Sequence, residues 1–246
     1  MKLLVTRPEP HNAELVATLT QQGIPASGWP SLLITAPSDW QQAEHAMQRI
    51  QADHALIFVS QHAVAQLAQT YDLSKLHAHP CFAIGKTTAD ALKKQGFQHV
   101  IYPDERADSE HLAVCIQKEI GTSKTVWIFR GQTGRDYLGD TLIQQGMTVH
   151  YVAAYHRLSN AHFPDELHQR YDLIICTSLD GLKALHAAWD PNKTALTNQP
   201  ITVASNTMLT WAQAHGFTTC HQLPSLANPA IVAWCQNWIN SRHETL

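Results

Sequence analysis

The phrase "TLTQQGI" at Thr18–Ile24 returns as "TLIQQGM" at Thr141–Met147 with five of its seven letters unchanged. The register extends outward from it. Arg7 closes "LLVTR" and Arg130 closes "VWIFR", and this pair stands 123 residues apart, as do Gly23 and Gly146. Farther along, "ALIFVSQHAVAQL" lies over "DLIICTSLDGLKAL" with Ser60 on Ser178, 118 residues apart, and "GKTTADALKKQGF" lies over "SNTMLTWAQAHGF" with Gly96 on Gly216, 120 residues apart. Two loops have therefore changed length between the copies. A period of about 120 residues is far too long for a solenoid and predicts two similar domains produced by duplication.

Within each copy the pattern is strand, turn, helix, strand. The runs "LLVT", "LIFVS", "CFAIG", "VWIF", "LIIC" and "ITVAS" are short, apolar and rich in β-branched residues, as strands buried on both faces are. Stretches with apolar residues three or four apart follow, such as Leu15 with Leu19 and Val64 with Leu67. This alternation predicts an α/β fold of two doubly wound parallel-sheet domains. Gly23, Gly96, Gly146 and Gly216 each fall just past a helical stretch, where a left-handed residue closes a helix and glycine adopts it at least cost. The repeated QQG is thus a helix stop and carries no chemistry.

Charge narrows the function classes. The chain has 246 residues, 44% of them apolar, and a formal charge of -3 with only 17 Lys and Arg, so no basic stripe exists to neutralise a phosphate backbone, and nucleic acid is not an expected partner. No apolar run approaches the roughly 18 residues that span a bilayer, and "MKLLVTRPEP" is too short for a signal-peptide core, so the expectation is a cytoplasmic protein with no membrane partner. The five cysteines, Cys81, Cys115, Cys176, Cys220 and Cys235, form no C-x-x-C pair and read as buried thiols.

In open parallel sheets ligands sit beyond the carboxyl ends of the strands, where the next helix begins. Here those ends read Thr6-Arg7, Ser60-Gln61-His62, Gly85-Lys86-Thr87-Thr88, Arg130-Gly131-Gln132-Thr133, Thr177-Ser178-Leu179-Asp180 and Ser205-Asn206-Thr207. For any one of them helix capping is the simpler reading. Together they offer many N–H and O–H donors with few formal charges, which suits a ligand bearing several carboxylates. Other signals are weaker. His77 and His79 have no third ligand at metal spacing. Ser178 lacks the G-x-S-x-G elbow, which argues against a covalent mechanism. "GKTT" matches the end of a phosphate loop, but Pro80 stands where its first glycine belongs. No metal and no cofactor is expected.

"LLVTRP", "FVSQHAV", "AIGKTTADALKKQG", "VHYVAAYHR", "DLIICTS" and "VASNT", in this order over the full chain, resemble the uroporphyrinogen-III synthase family. The resemblance implies a cofactor-free enzyme that closes linear hydroxymethylbilane to uroporphyrinogen III with inversion of ring D, in an active cleft between two α/β domains. It also implies an exchanged architecture. Residues 1–34 with 160–246 would form one domain and 39–155 the other, joined by a two-stranded linker near 35–38 and 156–159. The repeat by itself leaves this open, since residues 1 to about 120 could equally fold beside the rest.

Carried over position by position, the resemblance makes Tyr155 the candidate proton donor to the departing hydroxyl. It matches Thr88, Ser60 and Ser178 to family positions, and with the strand-end residues Arg7, His62, Thr87, Arg130, Thr177, Ser205 and Thr207 these are the candidate substrate-binding residues. His62 stands where some relatives carry Arg, and "SNTML" lacks the glycine and T-A of the first-half turn, so Ser205, Asn206 and Thr207 inherit only the location. Water loss from the bilane gives an azafulvene cation stabilised by pyrrole nitrogen, so the protein's task is to hold the chain so that attack falls on the substituted carbon of ring D through a spiro intermediate. The expected partner is a linear tetrapyrrole, with a transient contact to the enzyme that makes hydroxymethylbilane, and the expected state is a monomer. The rival reading is a cytoplasmic two-lobed protein that binds a polycarboxylate or tetrapyrrole without chemistry.

Overall fold

Leu3-Leu4-Val5 and Leu173-Ile174-Ile175 carry apolar side chains at every position, so strands made of them are stable only when both faces are covered. In the computed structural model, which describes residues 1–134, 136–192 and 194–243, these runs lie side by side as parallel neighbours, Leu3 opposite Leu173. All six side chains are fully buried. The two runs stand about 170 residues apart in sequence, and their pairing defines how the chain divides. One compact unit consists of Met1–Leu33 with Leu158–Leu246, and the other of Ile34–Arg157.

The chain begins with β1 (Leu3–Val5), α1 (His11–Gln21) and β2 (Ala26–Gly28), then leaves the first unit along β3 (Leu32–Thr35). The second unit is built from α2 (Trp40–Gln48), β4 (Ala55–Phe58), α3 (Gln61–Thr70), β5 (Cys81–Ala83), α4 (Lys86–Lys94), β6 (Val100–Ile101), α5 (Ser109–Ile120), β7 (Thr125–Gly131) and α6 (Tyr137–Gln144). The long strand β8 (Thr148–Ser159) leads back. There follow β9 (Leu173–Ile175), α7 (Leu179–Ala188), β10 (Ile201–Val203), α8 (Asn206–Ala214), β11 (Cys220–Gln222) and α9 (Asn228–His243).

Strand order is β11-β10-β9-β1-β2 in one sheet and β3-β8-β7-β4-β5-β6 in the other. Set against the repeat, β1 and β2 correspond to β7 and β8, and β9, β10 and β11 to β4, β5 and β6. The two orders are then the same, apart from the extra strand β3. Each sheet takes two of these strands from one copy of the repeat and three from the other. The strands that correspond in the repeat pair in parallel, as in β1 with β2 and β9 and in β4 with β5 and β7.

Both faces of each sheet are covered, which is why the strands can be apolar throughout. In the first unit Leu4, Ile174 and Val203 pack with α7 and α8 through Leu182, Leu185 and Met208. The opposite face, Leu3, Val5 and Ile175, packs with Leu15 and Leu19 of α1 and with Ile231 and Cys235 of α9. The second unit repeats the scheme. Phe58 and Phe129 stack at 4.4 Å under α2, α3 and α4, while Ile57, Val126 and Ile128 lie under α5 and α6. Burying each such side chain contributes about 1.5 to 3 kcal/mol.

The repeated phrase closes its two helices identically. Gly23 and Gly146 follow α1 and α6 at φ of +75° and +89°. Gly23 N–H donates to the Thr20 carbonyl and Ile24 N–H to that of Leu19; Gly146 and Met147 donate likewise to Ile143 and Leu142. This pair of bonds is the Schellman closure, and the Leu and the Ile or Met of each copy are the apolar residues that accompany it.

Candidate functional site

The candidate residues lie where the strands end and helices begin. In the first unit β1 runs into Thr6, which is buried and donates its hydroxyl to the Ile175 carbonyl at 3.0 Å. Ser31, wholly buried just after β2, donates to the Thr6 carbonyl at 2.6 Å. Ser178 ends the β9 turn and caps α7, its Oγ accepting the Gly181 N–H at 3.1 Å. Gly181 has no room for a side chain, since a Cβ there would lie 2.7 Å from Ser31 Oγ and 2.9 Å from Ser178 Oγ. Thr6, Ser31, Ser178 and Gly181 thus form one hydroxyl-rich cluster across the ends of β1, β2 and β9, with Thr177 half-buried beside it. Ser31 was not among the sequence candidates. Its partner in the repeat is Ala154, so no matching hydroxyl marked it.

Arg7 stands at the end of β1 with a partly buried guanidinium. Burial pushes it below its ordinary pKa, opposed by the charge of Glu14. One Nη donates to the Asn228 side chain at the start of α9, and the buried Nε has no partner. No carboxylate forms an ion pair with it among the described residues. A cation desolvated in this way is costly unless an anion joins it. Ser205 and Thr207 are exposed at the start of α8; Ser205 Oγ caps the helix by accepting the Met208 N–H at 3.3 Å. Asn206, Thr207, Thr210, Trp211 and Leu179 line a shallow groove of about 590 Å³ there.

In the second unit Ser60 caps α3, its Oγ accepting the His62 N–H at 3.1 Å. Gly85 opens α4 against Ala107, 2.5 Å from where a Cβ would stand. In the next turn Thr87 is exposed and Thr88 buried. Arg130 is engaged locally. Its Nη1 donates to Asp136 at 2.6 Å, its Nη2 to the Gly134 carbonyl at 3.1 Å, and the guanidinium lies 4.7 Å over the Tyr151 ring.

Tyr155 is positioned by an irregularity in the ladder. Arg130 pairs with Ala153, but the next pair is Gly131 with Tyr155, so Ala154 is an extra residue and β8 bulges. In a regular strand Tyr155 and Ala154 would face opposite ways. After the bulge both Ala154 and Tyr155 join Val152 in the core under α2, α3 and α4. The Tyr155 ring lies edge-on to His62 of α3, with centroids 5.9 Å apart, and over Gly131, where a Cβ would come within 2.9 Å of its Cζ. Gln132 N–H locks the turn by donating to the Tyr155 carbonyl at 2.7 Å. Tyr155 keeps 7% of its surface exposed.

Chemically, the strand ends supply capped helix N-termini, neutral hydroxyls and one under-neutralised cation, which favour carboxylates, and a phenol able to donate a proton. Cys176 is fully enclosed, and burial pushes its thiol up to about 12, so it is not a nucleophile. Among the described residues no helix is long and apolar enough to cross a membrane.

Residues 13–226 match the family described as uroporphyrinogen-III synthase HemD. The chain is similar to the uroporphyrinogen-III synthase of Escherichia coli (strain K12), 33% identical over 165 residues, 64% of this chain and 65% of that protein. It is similar to the one from Salmonella typhimurium, 31% identical over 160 residues, with 64% and 65% covered. The matched segment therefore spans just under two thirds of each relative. Among solved structures, the uroporphyrinogen-III synthetase of Helicobacter pylori superposes with a TM-score of 0.65 at 15% identity, covering 96% of this chain and 99% of that one. A mutant Thermus thermophilus uroporphyrinogen III synthase superposes with a TM-score of 0.57, also at 15% identity, covering 98% and 99%. These two structures share the fold.

Proposed function

The chain belongs to the uroporphyrinogen-III synthase family, and from that premise we propose that it closes hydroxymethylbilane to uroporphyrinogen III with inversion of ring D. Proton donation to the hydroxymethyl oxygen breaks the C–O bond and releases water, and the pyrrole nitrogen stabilises the azafulvene cation that remains. Attack by the substituted carbon of ring D forms a spiro intermediate. One C–C bond then reopens, the ring rejoins through its other carbon, and loss of a proton restores the pyrrole. The balance is the loss of one water. The pyrrole supplies its own electron pair, so the protein contributes an acid and a fold for the bilane. Holding reacting atoms in near-attack geometry is worth about 7 to 11 kcal/mol.

The observation that carries this reading is the bulge that turns Tyr155 toward His62 over Gly131. A phenol held by backbone pairing and packing is a suitable acid for the departing hydroxyl. Arg7, Thr177 and Ser178, with the helix starts at Ser60, Thr87, Thr88, Ser205 and Thr207, are proposed to hold acetate and propionate arms. Arg130 is proposed to act through the turn that it braces with Asp136 and Gly134. On this reading the enzyme works without a cofactor, as a monomer in the cytoplasm, on a substrate handed over by the enzyme that makes it. Family membership weighs against the rival reading of binding without chemistry. Incubation with hydroxymethylbilane followed by separation of the oxidised isomers tests the proposal. The type III isomer should dominate, and type I alone, formed at the rate seen in buffer, would overturn it.

A further inference from the structure

The second unit carries a groove of about 620 Å³ between α2 and the first half of β8, reaching Gln132 just past the end of β7. Gln42, His45 and Arg49 line it from one stripe of the helix, and Trp127 and His150 from the sheet. The indole of Trp127 organises the inner end. His150 stacks on it at 4.4 Å, the Arg49 guanidinium lies 5.9 Å from its centroid, and its Nε1 donates to His54 Nδ1 at 2.9 Å. Two groups able to carry positive charge, Arg49 and His150, thus lie against one ring, while His54 accepts its N–H through a nitrogen that also accepts the Gln51 N–H. The negative charges nearby are remote or already engaged. Asp39 lines the groove at the other end of α2, where its carboxylate caps the Gln42 N–H, and Asp53 lies 3.9 Å from His54 with 73% of its side chain exposed. Among the described residues no carboxylate pairs with Arg49. The free carbonyls at the end of α2 account for a cation at that position, but not for two histidines beside it. Burial, reinforced by the charge of Arg49, holds the His150 imidazole below its ordinary pKa.

We propose that the α2–β8 groove is a binding site for a small polycarboxylate, anchored at Arg49 and His150, two residues that the proposed reaction does not use. Arg49 supplies a planar fork of donors matched to a carboxylate, and the His150 imidazole gains a counter-charge when the anion arrives. The groove is several times the volume of one phosphate ion and continues along α2 past the Gln42 and Gln41 amides. An elongated anion with several carboxylates fills it, and a single compact oxyanion does not. The inference does not depend on the catalytic reading.

Citrate, titrated into the whole chain and followed by calorimetry and by the His150 ring signals in nitrogen-edited NMR, tests it. Binding with one citrate per chain at this groove should shift the His150 signals. Arg49→Gln should weaken that binding by about tenfold or more, and Arg49→Lys should restore part of it. Inorganic phosphate should bind at least about tenfold more weakly than citrate. Arg7→Met, which removes a cation elsewhere, should leave the His150 shift intact. Unmoved His150 signals at saturating citrate, equal affinity for the Arg49→Gln variant, phosphate matching citrate, or loss of the His150 shift in Arg7→Met would each overturn the proposal.

Discussion

Gly131 pairs with Tyr155 one residue out of step with the pair before it, and that slip brings a tyrosine to the same side of the sheet as His62. The ring rests where a glycine leaves space for it. Backbone register here determines where the candidate side chain points, so the register itself is open to test.

Tyr155→Phe removes one hydroxyl and leaves the packing. The melting temperature should stay close to the parent's, while turnover falls by about tenfold or more, within the range that a positioned acid contributes. Product formed on the enzyme should remain mostly type III, because the role proposed for the phenol is to begin the reaction and not to direct ring inversion. Full activity in this variant would assign the proton to another group.

Gly131→Ala places a methyl group 2.9 Å from the Tyr155 ring carbon Cζ, and the ring must move. Overpacking of this kind costs about 1 to 3 kcal/mol. Turnover should fall toward the Tyr155→Phe level, and the double variant should be hardly slower than either single one, since both changes act through the same hydroxyl. Independent, multiplicative losses would show that Gly131 serves something other than Tyr155.

Arg7→Met should separate binding from stability. It replaces a partly buried, under-neutralised cation by an apolar chain of similar length, a kind of change that is often neutral or stabilising. Denaturation by urea should show no loss of stability, while KM for hydroxymethylbilane rises severalfold with kcat little changed. A loss of more than about 2 kcal/mol would instead make Arg7 a structural residue held by Asn228.

A fragment covering residues 34–157 contains β4 to β8 with the helices α2 to α6 that cover both faces, and it should fold cooperatively alone. Residues 1–120 contain β1 and β2 without β9, and β4 to β6 without β7 and β8, so both sheets are cut. Sharp, coincident thermal transitions by circular dichroism and fluorescence in the second fragment would contradict this account.

The sequence carried the elements clearly. Runs such as Leu56-Ile57-Phe58 announce strands covered on both faces, and the spaced glycines announce helix stops, because burial and left-handed φ restrict the residue types strongly. The choice of neighbours for β1 was not legible. Val5 packs equally well beside Ile175 or beside a strand of its own half, since apolar strands of one repeat are interchangeable by pattern. The serines at Ser60, Ser178 and Ser205 were visible as helix starts, and their hydroxyls do cap. The bulge at Ala154 was hidden, because an alanine in a strand looks the same whether or not it is paired. Ser31 was hidden too: its importance comes from Gly181, which is distant in sequence and close to it only after folding.

The pairing of Leu3 with Leu173 also fixes an order of events on the ribosome. The first apolar strand emerges, and its neighbour β9 is not made until all of Ile34–Arg157 has been translated. At about 5 to 20 residues per second, residues 1–33 wait many seconds with one edge of β1 unmatched, long enough for the inserted unit to fold completely. Nascent chains should therefore resist protease in the middle before they resist it at the front. Any chaperone that meets this protein during synthesis would find Leu3-Leu4-Val5 as the exposed segment.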